Sequence, residues 1–338
     1  MNKQTKLTDI AKKLNISIST VSRALNDASD VSEETKLRVR RTAHELHYLP
    51  NETARSLVMQ KNNIIAVIVP NISNPYHCEL VKGIEGVLHK ENYSIVLCIY
   101  QDNDVIKEEY IREMLRKRVV GMVFIGTRPE NDSLFEKMIT STIVVGIQST
   151  DERIDRVNVD ENKNVYKIIS KLAELGHKRI AFLGSMNGDV EFLEQRLESY
   201  KKALADSGLP IDESIIIDDQ NKEEPGYHSC KELLKDKSIT AIHCMYDELA
   251  MGAYMAICDE GLKVPDDISL SGFDGLRLSK LIRPALTTVR VPIKEMGESA
   301  AELILQRLQY GQKEEKQIIL FNSKLIEGNS IGKVKNTR

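Results

Sequence analysis

Several patterns are missing from this 338-residue chain, and each absence excludes a class of protein. No run approaches the roughly 18 apolar residues of a membrane span, and the first residues, MNKQTKLTDIAKKL, lack the apolar core of a signal peptide. The five cysteines are scattered, odd in number and without a C-x-x-C spacing, so they predict reduced thiols rather than disulfides or a zinc site. We therefore expect a cytoplasmic protein without metal or cofactor.

Two sequence signatures of enzymes built on parallel sheets are also missing. The apolar run Ile64–Val69 is not followed by G-x-G-x-x-G, and no G-x-x-x-x-G-K-[ST] occurs. Histidines and carboxylates are present, but their spacing does not set a base beside a nucleophile. The sequence therefore predicts no catalytic residue and a protein that is not an enzyme.

Charge is distributed unevenly along the chain, although the total is only −3. Residues 1–60 hold 10 Lys and Arg against 7 Asp and Glu, a net charge of +3, and the remaining 278 residues are net −6. This balance argues against a protein that coats nucleic acid along its whole length. A mildly basic head on an acidic body instead favours DNA binding confined to the N-terminus.

Residues 8–26, TDIAKKLNISISTVSRALN, have the spacing of two short helices joined by a tight turn. Ile10 and Leu14 give the first helix an apolar face, Val21 and Leu25 do the same for the second, and Ser17 can cap the second helix. The opposite face of the second helix carries hydroxyls, one arginine and one amide: Ser19, Thr20, Ser22, Arg23 and Asn26. Such a face suits a polyanion, although an ordinary surface hairpin of helices has the same spacing.

A third helix and a short connector follow. Ser32 is the expected N-cap of the third helix, whose predicted apolar positions are Leu37, Val39, Ala43 and Leu46. Pro50 ends that helix, and Asn51 can cap a short new one. Because six or seven residues do not hold a helix alone in water, we expect the connector to be a linker off DNA and a helix on DNA.

From residue 62 onward, short apolar runs alternate with helical patterns, which is typical of a parallel sheet. The alternation runs to Ile147 and begins again after Asp160, with no strand expected between them. We interpret this as two similar α/β lobes with a cleft between them. Ligands of such sheets lie beyond the carboxyl ends of the strands. The candidate motifs fall there, at residues 71–77, 184–196, 246–247 and 273–274.

Several segments resemble one known family. TDIAKKLNISISTVSRALN, VSEETKLRVRRTAHELHYLPN and ETARSLVMQK resemble the DNA-binding headpiece and hinge of the LacI/GalR (lactose-repressor/galactose-repressor) family of bacterial transcriptional regulators. NISNPYHCELVKGIE, SGFDG and RPALTTV resemble its regulatory domain. The resemblance implies a homodimer that binds a pseudo-palindromic operator, usually as a repressor. It also implies a periplasmic-binding-protein-like body whose lobes are joined by three crossings, the third at Leu286–Val289.

The predicted fold class is thus a small all-α helix-turn-helix head plus an α/β body of two doubly wound parallel-sheet lobes. The predicted domains are a headpiece at 1–49, a hinge at 50–61 and an effector-binding and dimerisation domain at 62–338. The first lobe is expected at about 62–160 plus 290–320, and the second at about 161–288 plus 321–331. By resemblance, the helix after Pro75 and the Leu276–Leu281 segment form the dimer interface.

The resemblance also assigns DNA contacts. It makes Ile18, Ser19 and Arg23 base-reading residues, and Ser17, Thr20, Ser22 and Asn26 phosphate contacts. Ile18 could touch a thymine methyl or pack inside the head. In the hinge, Leu57 matches a leucine that wedges between base pairs in the minor groove, and Arg55 lies beside it. Such a wedge bends the duplex, and this couples folding of the linker to DNA binding.

Effector contacts are implied in the same way. Arg196 and Asp274 match the family's effector-binding arginine and aspartate, and a guanidinium with a carboxylate suits sugar hydroxyls. Tyr76 matches an aromatic of the pocket wall. His77 stands where relatives have a second aromatic, as a ligand contact or a solvated helix-start residue.

The pocket departs from the family pattern at further positions. Tyr246 replaces a small polar residue, and Asn221 replaces a stacking aromatic. Val190 and Phe192 replace polar residues used by a purine-responsive relative, which argues against a purine. The expected effector is a sugar or a sugar phosphate. Three alternatives remain open. The chain could be a regulator controlled by a phosphocarrier protein, a solute-binding protein, or an architectural DNA-binding protein without an effector.

Overall fold

The computed structural model describes residues 5–48, 62–129, 141–147, 154–160, 162–184, 190–221, 223–311 and 316–335. The chain divides into two compact units, Met1–Asn62 and Asn63–Arg338. Within the described ranges, no helix combines the length and apolar character that a membrane span requires. The predicted hinge at 50–61 and a predicted helix at 134–138 lie outside the described residues.

The first unit contains three helices in its described part: α1 (Leu7–Leu14), α2 (Ile18–Leu25) and α3 (Glu33–Glu45). Asn15 ends α1 in the left-handed conformation, at φ 53°, which makes the tight turn into α2. The predicted caps are confirmed, because the hydroxyls of Ser17 and Ser32 each accept a backbone N–H three residues on. The small core consists of Ile10, Ala11, Val21, Ala24, Val39 and Ala43.

One predicted core position of the head is wrong. The Leu37 side chain is 64% exposed rather than packed. Val39 and Ala43 set the buried face of α3, and Leu37 lies two residues before Val39, about 200° away around the helix. The inward position three residues before Val39 belongs to Lys36, which is buried while its ammonium bonds Glu33 at 2.7 Å.

The first lobe of the body is built on a parallel sheet. Its strands are β1 (Ile64–Val69), β2 (Ser94–Ile99), β3 (Gly121–Ile125), β4 (Thr142–Val145), β5 (Asp155–Asp160) and β11 (Ile318–Asn322), in the order β11-β5-β4-β3-β1-β2. The described helices of this lobe are α4 (Pro75–Lys90), α5 (Asp104–Arg116) and α10 (Ile293–Tyr310). Strands β1, β3 and β4 are almost wholly buried, as their uninterrupted apolar runs predict.

The second lobe repeats this plan with a smaller sheet. Strands β6 (Ile180–Gly184), β7 (Ile216–Asp218), β8 (Ala241–Cys244) and β9 (Ser269–Ser271) pair in parallel in the order β7-β6-β8-β9. The helices are α6 (Asn162–Glu174), α7 (Val190–Asp206), α8 (Tyr227–Leu233) and α9 (Asp247–Asp259). Strands β10 (Thr288–Arg290) and β12 (Lys324–Ile326) form an antiparallel pair. The predicted two-lobed α/β body is confirmed.

The sequence pattern missed strand β5. Its sequence DRVNVD contains mostly polar residues and so does not resemble a buried strand. Asp155 is nevertheless buried, because it pairs with Arg307 of α10, whose Nε and Nη2 lie 2.6 and 2.7 Å from the carboxylate oxygens. The order of the crossings also differs from the prediction. The chain passes between the lobes after β5, then through β10 into α10, and last between β11 and β12. The Leu286–Val289 crossing is therefore the second along the chain, not the third.

Candidate functional site

The start of α2 presents a cluster of hydroxyl groups. The Ser17 Oγ accepts the Thr20 N–H at 3.0 Å and lies 2.7 Å from both Ser19 Oγ and Thr20 Oγ1. These hydroxyls surround the N-terminus of a helix, where unpaired backbone N–H groups and the helix dipole favour an anion. The arrangement can therefore bind a phosphate group.

Three other side chains predicted to contact DNA, those of Ile18, Asn26 and Arg23, differ in their exposure and in their partners within the head. Ile18 is 49% exposed and so is not packed in the head's core. The Asn26 amide donates to the Ser22 carbonyl at 2.9 Å and closes the last turn of α2. Arg23 pairs with Asp30, because its Nε donates to Oδ1 at 3.2 Å. The sequence pattern does not predict this ion pair.

The predicted hinge contacts, Asn51, Arg55 and Leu57, lie outside the described residues. Their assignments to a helix cap, a groove contact and a wedge stay predictions.

In the second lobe, Arg196 lies at the carboxyl ends of β8 and β9. Its side chain is buried, and one guanidinium nitrogen donates to the Met245 carbonyl just beyond β8. The guanidinium carbon stands 3.6 Å from the centre of the Phe273 ring, just beyond β9. The Asp274 carboxylate is 4.0 Å from Nη2, so the predicted arginine and aspartate are brought together.

Asp274 is held in an unusual backbone conformation, with φ at 105°. Its N–H donates to the Val289 carbonyl at 2.8 Å, and its own carbonyl accepts the Val291 N–H at 3.1 Å. These bonds join the loop after β9 to the crossing strand β10. Gly275 follows at φ 70°, and a Cβ there would lie 2.7 Å from the Arg290 Cα. The site aspartate is thereby attached directly to a segment that links the lobes.

A buried carboxylate in the candidate motif at residues 246–247 reinforces this junction. Asp247, the first residue of α9, accepts the Leu276 N–H at 2.8 Å and the Thr288 hydroxyl at 2.6 Å, while its own N–H donates to the Phe273 carbonyl. Burial raises the pKa of Asp247 to about 6, and the hydrogen bonds from Thr288 and Leu276 limit the rise. Asp247 therefore connects α9, the loop of Asp274 and the crossing strand.

In the first lobe, Tyr76 and His77 begin α4 and lie over neighbouring strand ends. The Tyr76 hydroxyl lies beside Gly146, just after β4, and the His77 ring lies beside Gly126, just after β3. His77 Nδ1 is 2.9 Å from the Asn71 carbonyl, and burial lowers the pKa of His77. Because a carbonyl only accepts, the neutral ring carries its proton on Nδ1, which leaves Nε2 as an acceptor.

The two remaining predicted pocket residues differ in what they do. The Asn221 Oδ1 accepts the N–H groups of Glu223 and Glu224, both at 3.0 Å, so it orders its own turn. Tyr246 is the N-cap residue of α9, and its partly buried side chain packs against the body's core. Neither arrangement by itself marks a ligand contact.

Two further buried polar residues, His243 and Ser330, form hydrogen bonds within the second lobe. His243 is buried on β8, with Nδ1 2.9 Å from Ser271 Oγ, and burial together with the Arg196 charge lowers its pKa to about 3. The spacing G-x-S-x-G, typical of hydrolase nucleophiles, occurs once, at residues 328–332. Its Ser330 is buried, donates to the Leu270 carbonyl at 2.6 Å and accepts the Thr287 N–H at 2.7 Å. That serine fastens the C-terminal segment to the second lobe.

Comparisons with known proteins agree with this architecture. Residues 6–51 match the family described as bacterial regulatory proteins, lacI family, and residues 169–331 match a periplasmic binding protein-like domain. The transcriptional regulator RegA of Clostridium saccharobutylicum is 33% identical over 330 residues, covering 96% of this chain and 99% of that protein.

Two solved structures are similar as well. A LacI family regulator from Enterococcus faecium with bound ribose is 29% identical and covers 80% of this chain and 100% of its own, with a TM-score of 0.72. The lac repressor dimer bound to operator and the anti-inducer ONPF has a TM-score of 0.84 at 23% identity, covering 97% and 99%. The second likeness concerns the fold.

A helix-turn-helix head and a two-lobed body with a periplasmic binding protein-like domain define a DNA-binding regulator of transcription. The chain belongs to the LacI family of bacterial regulatory proteins, and it is not an enzyme.

Proposed function

We propose that this regulator is a cytoplasmic repressor that binds a pseudo-palindromic operator as a dimer, under the control of a sugar or sugar phosphate in the cleft between its lobes. The observation that carries the proposal is the buried Arg196–Asp274 pair, which is bonded to the crossing strand through Val289 and Val291. A ligand that engages this pair acts on the segment that sets the relation between the lobes.

The chemistry of the pair fits adjacent hydroxyl groups. A guanidinium only donates and a carboxylate accepts two hydroxyls, so together they recognise a diol. In the first lobe, the Nε2 of His77 adds an acceptor and Tyr76 adds an aromatic wall at the strand ends. The ribose bound by the E. faecium regulator is a ligand of this kind.

DNA recognition is proposed for the outer face of α2. The hydroxyls of Ser17, Ser19 and Thr20 suit phosphate oxygens, and Arg23 suits guanine O6 and N7. Effector binding would move the lobes and thereby shift the hinge segment, in which we expect Leu57 to enter the minor groove.

The experiment that tests this function is operator selection from a random DNA pool with the full chain. Arg23→Ala and Leu57→Ala variants are selected in parallel. We expect a pseudo-palindrome for the wild type, relaxed sequence preference for Arg23→Ala and weaker binding for Leu57→Ala. If no sequence is enriched under any condition, the proposal fails.

The selection is then repeated with neutral sugars, sugar phosphates or a phosphocarrier protein added. A response to sugars that Arg196→Ala and Asp274→Ala abolish supports the cleft as the effector site. A response to the phosphocarrier alone, unaffected by those variants, would favour the alternative in which a protein on the lobe surface controls the regulator.

Dimerisation is proposed for the surface that contains Leu278 and Leu281, which are 53% and 57% exposed. Two large apolar side chains exposed near each other in the sequence are suited to an apolar contact between subunits. We expect Leu281→Asp to give a monomer in sedimentation analysis and weaker operator binding. The matched control is Ile211→Asp, at another exposed apolar residue of the second lobe, which should remain dimeric.

A further inference from the structure

Two carboxylates in the loop between α2 and α3 have different partners. Asp27 lies 3.0 Å from the Lys36 ammonium and 3.1 Å from Arg40 Nη2, both on α3. Asp30 instead pairs with Arg23, at the last turn of α2. The loop therefore places one negative charge against the framework of the head and the other against the proposed base-reading side chain.

The contact with Asp30 occupies one defined edge of the Arg23 guanidinium. Nε donates to Oδ1 at 3.2 Å, so the carboxylate lies on the Nε side of the guanidinium. A guanidinium has five N–H donors in a rigid plane, and the end edge formed by Nη1 and Nη2 retains donors directed away from Asp30. Guanine needs two donors, for O6 and N7.

We propose that Asp30 is a positioning residue for sequence readout, which holds Arg23 by one edge so that the other edge meets guanine. The inference rests on the proposed base-reading role of Arg23. Fixing a flexible arginine before binding reduces the ordering cost of the correct contact, and it prevents the side chain from turning to a phosphate or another base instead.

Asp30 then has opposite effects on affinity and on specificity. Because Asp30 is exposed beside Arg23, its charge would repel the phosphates of any DNA that the outer face of α2 binds, and so weaken binding to any sequence. Its hold on Arg23 strengthens the preference for the correct base pair. A residue with a merely structural role in the head would not separate these two quantities.

The test uses the full-length protein and the operator obtained by selection. Dissociation constants are measured at one salt concentration for three duplexes: the operator, the operator with the Arg23-dependent base pair replaced, and unrelated DNA. Wild type is compared with Asp30→Asn, Arg23→Ala and Asp27→Asn. Asp27→Asn is the matched control, because it removes the same charge from the same loop and leaves the contacts of Arg23 in place.

We expect Asp30→Asn to bind unrelated DNA about two- to fivefold more tightly, because one repulsive charge is removed. Its discrimination at the Arg23-dependent base pair should fall about three- to tenfold, a fraction of what loss of a bidentate base contact costs. Asp27→Asn should retain full discrimination. Thermal unfolding of each variant verifies that the head is folded.

Three results overturn the inference. Discrimination by Asp30→Asn could equal that of the wild type, which would mean that Asp30 does not position Arg23, or exceed it, which would mean that Asp30 competes with guanine. Asp27→Asn could lose as much discrimination as Asp30→Asn, which would mean that loop charge alone matters. If Arg23→Ala leaves the selected sequence unchanged, the proposed base-reading role of Arg23 fails as well. If Arg23→Ala loses base-pair discrimination and Asp30→Asn does not, only the positioning role of Asp30 is refuted.

Discussion

The two proposed recognition sites of this regulator each contain an arginine paired with an aspartate, in opposite surroundings. In the head, the side chains of Arg23 and Asp30 are 56% and 46% exposed. In the second lobe, those of Arg196 and Asp274 are 2% and 6% exposed. Arg196 has further anchors in the Met245 carbonyl and the Phe273 ring.

The difference follows from what each site is proposed to bind. A long, charged DNA molecule approaches from solvent, so the head's arginine must remain accessible, and an exposed pair contributes little to folding. A small effector must be enclosed, so its polar partners are buried before it arrives. Removing one member of a buried pair leaves the other charge buried without a compensating charge, and this lowers the stability of the folded protein.

The largest effect is expected when the buried pair is broken. Arg196→Ala leaves the Asp274 carboxylate and the Met245 carbonyl without this donor, and we expect the free energy of unfolding of the body to fall by about 3 to 5 kcal/mol. Urea unfolding measures the change. Arg23→Ala is the exposed counterpart and should change stability by no more than about 0.5 kcal/mol. If Arg196→Ala and Arg23→Ala lowered the free energy of unfolding equally, the two pairs would not differ in their contribution to stability.

A second effect concerns pH and arises from the buried Asp247 beside this pair. The folded body holds the Asp247 proton up to a pKa of about 6, whereas the unfolded chain releases it near 3.8. Between these values the folded state binds more protons, so this group's contribution to stability is present below pH 4 and is lost as pH rises to 6. The change is on the order of 2 to 3 kcal/mol.

Asp247→Asn cannot titrate and should lack this loss. The measurement is urea unfolding of the variant and wild type at pH 4, 5, 6 and 7. We expect the stability of the variant relative to wild type to rise between pH 4 and 6 and to remain level above about pH 6.5. A difference that is constant with pH would mean that Asp247 titrates normally. His243 acts in the opposite direction in both proteins, because its pKa is lowered, so it cancels in the comparison.

How much of each site could be predicted from the sequence depended on whether its signal was local. The caps at Ser17 and Ser32 and the outward face of α2 follow from residue type and helical spacing within a few positions. The parallel lobes follow from short apolar runs. The Arg23–Asp30 pair was missed because it joins side chains seven residues apart across a loop whose path the sequence pattern does not specify.

The junction around Asp247 was missed for a related reason. Its partners, Leu276 and Thr288, lie 29 and 41 residues away, and only the completed fold brings them together. Strand β5 was missed because Asp155 resembles a surface residue until Arg307, 152 residues away, covers it. For Asn221, position in the family pattern suggested a ligand contact, but its side chain orders a local turn. Long-range pairs between polar groups leave no periodic signal.

A smaller effect is expected from the two serine caps of the head, which differ in one respect. Ser17 and Ser32 each accept a Thr N–H, at 3.0 and 3.3 Å, but only Ser17 belongs to the proposed phosphate-binding face. We expect Ser17→Ala and Ser32→Ala each to destabilise the head by about 1 kcal/mol. Only Ser17→Ala should also weaken operator binding once both variants are measured well below their melting temperatures. Equal binding defects would assign both to reduced folding.

The smallest expected change in stability is that of Asp30→Asn. The exposed pair with Arg23 is screened by water and salt, so its loss should alter the free energy of unfolding by no more than about 0.5 kcal/mol, as in Arg23→Ala. Thermal unfolding at 50 and 500 mM NaCl measures this, and the difference from wild type should shrink at the higher salt. A large, salt-independent loss would indicate that Asp30 is part of the head's framework, as Asp27 is through Lys36. A small loss, in contrast, means that the pair adds little to the folded head, so that any change in base discrimination by Asp30→Asn reports on the orientation of Arg23.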